Sequence, residues 1–211
     1  GRPHYGDMYN NYIGQAQPPF LAPMSSTNSQ DAQSNALDAG RWIQALRFEH
    51  MDSRFDTMSP AHHGTCEWLF EREEYKAWRN PDKSGPHRRF LCVKGKPATG
   101  KSMLMRAAYL HGLNTFKQDA IVSYFFGSES PETPSHAEGF YRSVLCQLLD
   151  KFPELSATLQ KHTQCLRLRG EEHLVWSHER LKALLREAVL ALPSRRLTCY
   201  VDAIDECGYS V

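Results

Sequence analysis

The chain has 211 residues, of which 41% are hydrophobic and 23% charged, and its formal net charge is +1. These are the proportions of an ordinary globular chain with enough apolar residues for a packed core, and the near-neutral charge lacks the basic footprint of a nucleic-acid binder. No apolar stretch approaches the roughly 20 residues that span a bilayer, and no charged N-terminal region followed by an apolar one marks a signal peptide.

Residues 1–35 are rich in Gly, Pro, Ser, Asn and Gln, with Pro18-Pro19 and Ser25-Ser26-Thr27-Asn28 as plain loop chemistry. They read as a flexible linker with too few apolar residues for a core. The chain opens on Gly1 rather than Met and is read as a segment of a longer protein. Residues 36–86 read as a helical lead-in. A weak helical pattern covers Leu37 to Phe48, with Ile43 and Leu46 on one face. A stronger helix is expected from Pro60 to Trp78, with Cys66, Leu69, Phe70 and Trp78 near one face. Pro60 suits its first turn, Asn80-Pro81 closes it, and Pro81 to Pro86 is a loop.

Residues 87–211 read as an α/β core. Phe90-Leu91-Cys92-Val93 is a short apolar run that fits a strand buried on both faces of a parallel sheet. A helix is expected after the glycine-containing loop, through about Asn114, and Ile121 to Phe126 is the next strand. The loop from Gly127 to Ser135 carries Pro131 and Pro134. A helix follows from Glu138 to Phe152, with Tyr141, Val144, Leu145, Leu148 and Leu149 on one face, and a shorter one after Pro153. Arg167 to His173 is a charged loop. Ser177 can cap the next helix, where Leu181, Leu184, Leu185, Ala188, Val189 and Leu192 form the cleanest amphipathic pattern in the chain. Leu197 to Val201 is the last strand and delivers Asp202. Strands alternating with helices predict a parallel sheet with flanking helices.

The six cysteines (Cys66, Cys92, Cys146, Cys165, Cys199 and Cys207) form no C-x-x-C pair and no zinc spacing. They read as reduced thiols of an intracellular protein, several of them small buried hydrophobes. The ten histidines show no H-E-x-x-H spacing.

Residues 95–102 read GKPATGKS, a full G-x-x-x-x-G-K-[ST] phosphate loop. The chemistry uses each part. Backbone N–H groups curl inward toward anionic oxygens, and Gly95 and Gly100 allow the close approach that a side chain obstructs. Lys101 is a point charge for the β- and γ-phosphates, the Ser102 hydroxyl can ligate Mg²⁺, and the following helix directs its positive end at the phosphates. The candidate nucleotide-binding residues are Gly95, Lys96, Pro97, Ala98, Thr99, Gly100, Lys101, Ser102 and Met103, for ATP/ADP or GTP/GDP. A fortuitous glycine-rich turn is the competing reading. The strand expected before the loop and the helix after it argue against that.

Residues 197–206 read LTCYVDAIDE. An apolar strand carries Asp202 to its C-terminal end, the edge at which ligands sit in open α/β sheets. Asp202 is the second candidate Mg²⁺ residue beside Ser102. Asp205 and Glu206 are the catalytic candidates, either of which can orient or deprotonate an attacking water; a solvated acidic turn is the alternative.

GKPATGKS, IVSYFF, FYRSVLCQLL and CYVDAIDEC together resemble a NACHT-type STAND P-loop NTPase, and the doubled acidic pattern D-A-I-D-E is the discriminating part. More narrowly, the chain resembles the nephrocystin-3-like N-terminal family common in filamentous fungi. LRFEHMDSRFDTM, HHGTCEWLF and EYKAWRN resemble the lead-in of that family, so the resemblance covers about Leu37 to Val211. It implies a cytoplasmic molecular switch with slow hydrolysis, resting with ADP. Exchange for ATP permits self-association and contact with protein partners in a longer chain with effector and repeat domains. It also implies that Arg54 to His62 lie near the base. Ala98 stands where the family usually has Gly, at a position that reads as permissive. The chain ends just after the acidic motif, before the family's remaining sheet strands, which predicts an exposed edge on the phosphate-loop strand. A non-hydrolysing assembly scaffold is the runner-up. A small-molecule kinase is disfavoured because no Arg-rich lid follows the acidic motif.

Overall fold

A computed structural model describes residues 33, 40–62, 64–80, 90–126, 134–160, 176–192 and 196–204. The expected linker, the loops at Pro81–Pro86 and Arg167–His173, and both catalytic candidates, Asp205 and Glu206, lie outside these residues, residue 33 of the linker apart. The described part is mixed α/β and helix-rich, built on a two-stranded parallel sheet. Strand β1 is Ala120–Phe125 and strand β2 is Leu197–Asp202, in register from Ala120 opposite Leu197 to Phe125 opposite Asp202.

Successive side chains of a strand point to opposite faces, and each face of this pair has its own apolar cluster. Ala120 and Val122 join the His136–Lys151 and His178–Ala191 helices, whose Leu145, Leu149 and Leu181 are fully buried. Ile121 and Tyr200 face the other way, onto Leu104 and Ala108 of the Lys101–Thr115 helix and onto Leu69 and Tyr75. Ser177 caps its helix as expected, its Oγ accepting from Arg180 N at 3.3 Å, and Ser135 does the same for the His136 helix at 3.4 Å.

The lead-in packs into this core. A helix over 40–46 buries Trp42 and Leu46 in the first cluster. Its last carbonyls accept hydrogen bonds from Arg142 (Leu46 O at 2.8 Å, Arg47 O at 2.9 Å) and from Trp176 (Ala45 O at 3.0 Å), satisfying groups that a helix end leaves unpaired. Arg79 ties the lead-in to the start of both strands through Asp119 at 2.6 Å and Thr198 Oγ1 at 2.9 Å.

Two elements differ from expectation. The helix expected over Pro60 to Trp78 is two short helices, Trp68–Glu71 and Glu73–Arg79, separated by Arg72 with an extended ψ of 134°. Leu69 and Tyr75 both enter the second cluster. Six positions apart, they would lie roughly 120° from each other around one continuous helix. The break lets both face the sheet.

The run Phe90–Val93 forms no strand and is not buried on both faces. Leu91 and Val93 pack on the second cluster, while Phe90 is 91% exposed and Cys92 is exposed. Among the described residues no element covers its outer side, so the run alternates like a surface segment. The outer edge of β1, in contrast, is paired at Ser123 by a side chain. Gln147 accepts from Ser123 N at 2.9 Å and donates to Ser123 O at 2.7 Å, so that its carboxamide takes the place of a neighbouring strand.

Close packing sets the height of the Lys101–Thr115 helix over the sheet. A Cβ at Gly112 would stand 2.7 Å from Tyr200 Oη and 3.2 Å from two of its ring carbons. Gly112→Ala should lower stability by about 1–3 kcal/mol, read from urea denaturation. Adding Tyr200→Phe should recover part of the loss, because the hydroxyl is the nearest atom; an unmoved midpoint in Gly112→Ala would refute the contact.

Burial pushes the Cys146 and Cys199 thiols from 9.0 up to about 12. In the unfolded chain these thiols ionise first, so the unfolded state binds fewer protons and stability falls as pH rises. Stability should therefore drop by about 1.4 kcal/mol per pH unit per thiol between about pH 9 and 12. Cys199→Ala should flatten the slope in pH-resolved urea melts.

Candidate functional site

Strand parity decides where Asp202 points. Thr198, Tyr200 and Asp202 are the buried positions of β2, whereas Leu197 and Cys199 pack on the opposite face. Tyr200 lies under the Lys101–Thr115 helix. Asp202, two residues further on, therefore shares the face of that helix.

The helix runs against the strands. Gly112, near its end, lies on Tyr200. Tyr109 and Arg106, nearer its start, meet the Phe55 ring at 5.7 Å and 4.8 Å, and Phe55 in turn meets Phe125 at 5.2 Å at the end of β1. Moving back along the helix is thus moving forward along the strands. The helix start and Asp202 lie at the same end of the sheet.

That start follows directly from the loop. Gly100 adopts φ 83°, ψ 18°, the left-handed region that glycine enters without steric cost, and no side chain caps the helix. The first intrahelical bond runs from Leu104 N to Gly100 O at 2.9 Å, so the N–H groups of Lys101, Ser102 and Met103 have no acceptor within the helix. The loop folds on itself. Thr99 Oγ1 donates to Lys96 O at 2.8 Å, and Lys101 Nζ donates to Gly95 O and Lys96 O, both at 3.0 Å. A Cβ at Gly95 would stand 3.0 Å from Thr99 Oγ1, so glycine there permits this closure. Pro97 forms the turn at the loop's exposed tip together with Ala98. Ala98, expected at a permissive position, has φ 62°, the region that favours glycine.

Asp202 is 5% exposed, and its Oδ2 is buried without a hydrogen-bond partner among the described residues. Among the described residues, its ion-pair partner comes from the lead-in. Arg54 Nη2 stands 3.8 Å from Asp202 Oδ2, and Arg54 Nη1 donates to Phe126 O. Sequence reasoning attached Arg54 to the base only by resemblance, since no spacing rule links it to a strand end so far along the chain. Among the described residues no group of three or more His, Cys, Asp and Glu gathers as a metal cage. No helix among them is long and apolar enough to cross a membrane.

The family model described as "Nephrocystin 3, N-terminal" matches residues 64–210, more than half of the chain. The chain belongs to this nephrocystin-3 N-terminal family. Such domains are found in NACHT/NLR-like proteins. The match takes in the loop and the whole acidic motif and begins after the 40–46 helix and Arg54. Comparison with curated proteins and with solved structures found no match.

The left-handed conformation at Ala98 costs stability that glycine would recover. Ala98→Gly should raise stability by about 0.5–1 kcal/mol; a lowered thermal midpoint would contradict the loop geometry.

Proposed function

We propose that this chain is the nucleotide-binding switch module of a NACHT-type STAND signalling protein, with a P-loop NTPase core that takes ATP/ADP or GTP/GDP together with Mg²⁺. The observation that carries the reading is an uncapped helix start, entered through a left-handed glycine, at the end of the sheet where a buried carboxylate lies. Free first-turn N–H groups and the positive end of the helix favour an anion there. Among the described residues the Lys101 ammonium meets two uncharged carbonyls, and an anionic oxygen is a stronger partner than either.

In this reading the backbone of Gly95 to Met103 and the Lys101 side chain hold the phosphates. Ser102 and Asp202 hold Mg²⁺, which supplies charge neutralisation when bound. The buried Asp202 Oδ2, which accepts no hydrogen bond among the described residues, fits that role. Mg²⁺ takes few protein ligands beside phosphate and water, in keeping with a site that offers one carboxylate and one hydroxyl. Asp205 or Glu206 orients the attacking water, which gives slow hydrolysis in the full-length protein. Membership of the nephrocystin-3 N-terminal family is compatible with a NACHT-like signalling protein. The fungal origin, the cytoplasmic setting, ADP-held rest and ATP-driven self-association are parts of the same proposal.

A thermal melt with Mg²⁺ and ATP, ADP or GTP tests it. At a hundred times the dissociation constant, binding to the folded state alone adds about 2.7 kcal/mol. The midpoint should rise in the wild type and stay unmoved in Lys101→Ala. A cooperative wild-type melt that ignores every nucleotide would overturn the reading. Asp205→Asn and Glu206→Gln should bind normally, with turnover lost in at least one. Binding without turnover in the wild type would mark a scaffold.

A further inference from the structure

The buried carboxylate at the end of β2 already has a cation of its own. Arg54 comes from the short Ser53–Thr57 helix of the lead-in and bridges the ends of both strands: Nη1 donates to Phe126 O, and Nη2 faces Asp202 Oδ2 at 3.8 Å. The Asp202 side chain is 6% exposed and that of Arg54 is 27% exposed. The separation is short enough to neutralise the carboxylate but too long for a hydrogen bond, and Oδ2 remains without one. Among the described residues the carboxylate is therefore neutralised while its Oδ2 accepts no hydrogen bond.

We propose that Arg54 occupies the cation position at Asp202 and competes there with Mg²⁺-nucleotide, so that the lead-in acts as a latch on the site. The inference rests on the Mg²⁺ role proposed above for Asp202. Two cations at one buried carboxylate repel each other with little solvent to screen them, so a divalent ion at Oδ2 displaces the guanidinium. The arginine can move without its helix, because Phe55 holds that helix independently, between Tyr109 and Phe125. Occupancy of the site then changes how the chain ahead of residue 64 is fastened to the family-matching part, a route from nucleotide state to whatever precedes it.

The test is calorimetric titration of Mg²⁺-ATP and Mg²⁺-ADP into the wild type, Arg54→Ala and Arg54→Lys, repeated with EDTA in place of Mg²⁺. Lys101→Ala marks the loss of binding, and a cooperative melt of each variant checks that it folds. Arg54→Ala should bind Mg²⁺-nucleotide roughly tenfold tighter. Arg54→Lys, which keeps the charge and guards against a misfolded alanine variant, should fall between. Affinity in EDTA should change much less. Tight binding by Arg54→Ala where the wild type binds feebly would support the latch strongly. Unchanged or weaker Mg²⁺-nucleotide binding in Arg54→Ala, with normal wild-type binding, would overturn the latch and leave the nucleotide reading standing; the weaker case would mark Arg54 as a phosphate ligand. No binding by any folded variant would overturn the nucleotide reading, and the latch with it.

Discussion

Two parallel strands cannot be joined by a tight turn, and their pair has two faces to bury. Most of the described architecture follows from that requirement. The chain between β1 and β2 supplies the His136–Lys151 and His178–Ala191 helices for one face. The Lys101–Thr115 helix and the two short helices around Leu69 and Tyr75 cover the other. The in-register pairing of Phe125 with Asp202 brings both strands to an end at one level. The helix that begins at the loop runs back along the pair, so its start and the buried carboxylate come to the same edge.

That edge brings charges of both signs together around a buried carboxylate. Asp202 is buried, Lys101 is drawn onto the loop's own carbonyls, and Arg54 reaches in from the lead-in. Among the described residues, Asp202 Oδ2 accepts no hydrogen bond from either cation. At the opposite end of the sheet the arrangement differs. Arg79 meets Asp119 at 2.6 Å and Thr198 at 2.9 Å, and its guanidinium lies 3.5 Å from the centre of the Phe116 ring. A directly hydrogen-bonded, ring-stacked arginine at one end fastens the fold. At the other end Arg54 is hydrogen-bonded to the Phe126 carbonyl but stands 3.8 Å from Asp202 Oδ2, so the carboxylate itself is not bound directly.

The lead-in shows how far local pattern carries. The weak periodicity around Ile43 and Leu46 was enough to announce a helix, and one is present over 40–46. Its burial under Trp176 and Arg142 was not legible, because those partners lie far along the chain and the contacts are made to backbone carbonyls that any residue would offer. The Pro60 to Trp78 pattern misled for a related reason: apolar spacing records which residues are buried, and a break at Arg72 lets residues from different helical faces meet the same cluster. The Phe90 to Val93 run misled because apolar composition alone does not supply a covering element.

By itself the sequence determined the mixed α/β class, both strands of the sheet, the three long helices with the Ser177 cap of the last, and the choice of Gly95 to Met103 and Asp202 as candidates. Those rest on local chemistry: hydrophobic period, capping oxygens, and glycines at fixed spacing. Only the tertiary structure decided that Asp202 shares a face with the Lys101 helix, that Gln147 pairs with Ser123 at the edge of β1, and that Arg54 faces the carboxylate. Each of these depends on strand register or on an approach between distant segments, and such distances are set by the packing of the whole core, which no local pattern encodes.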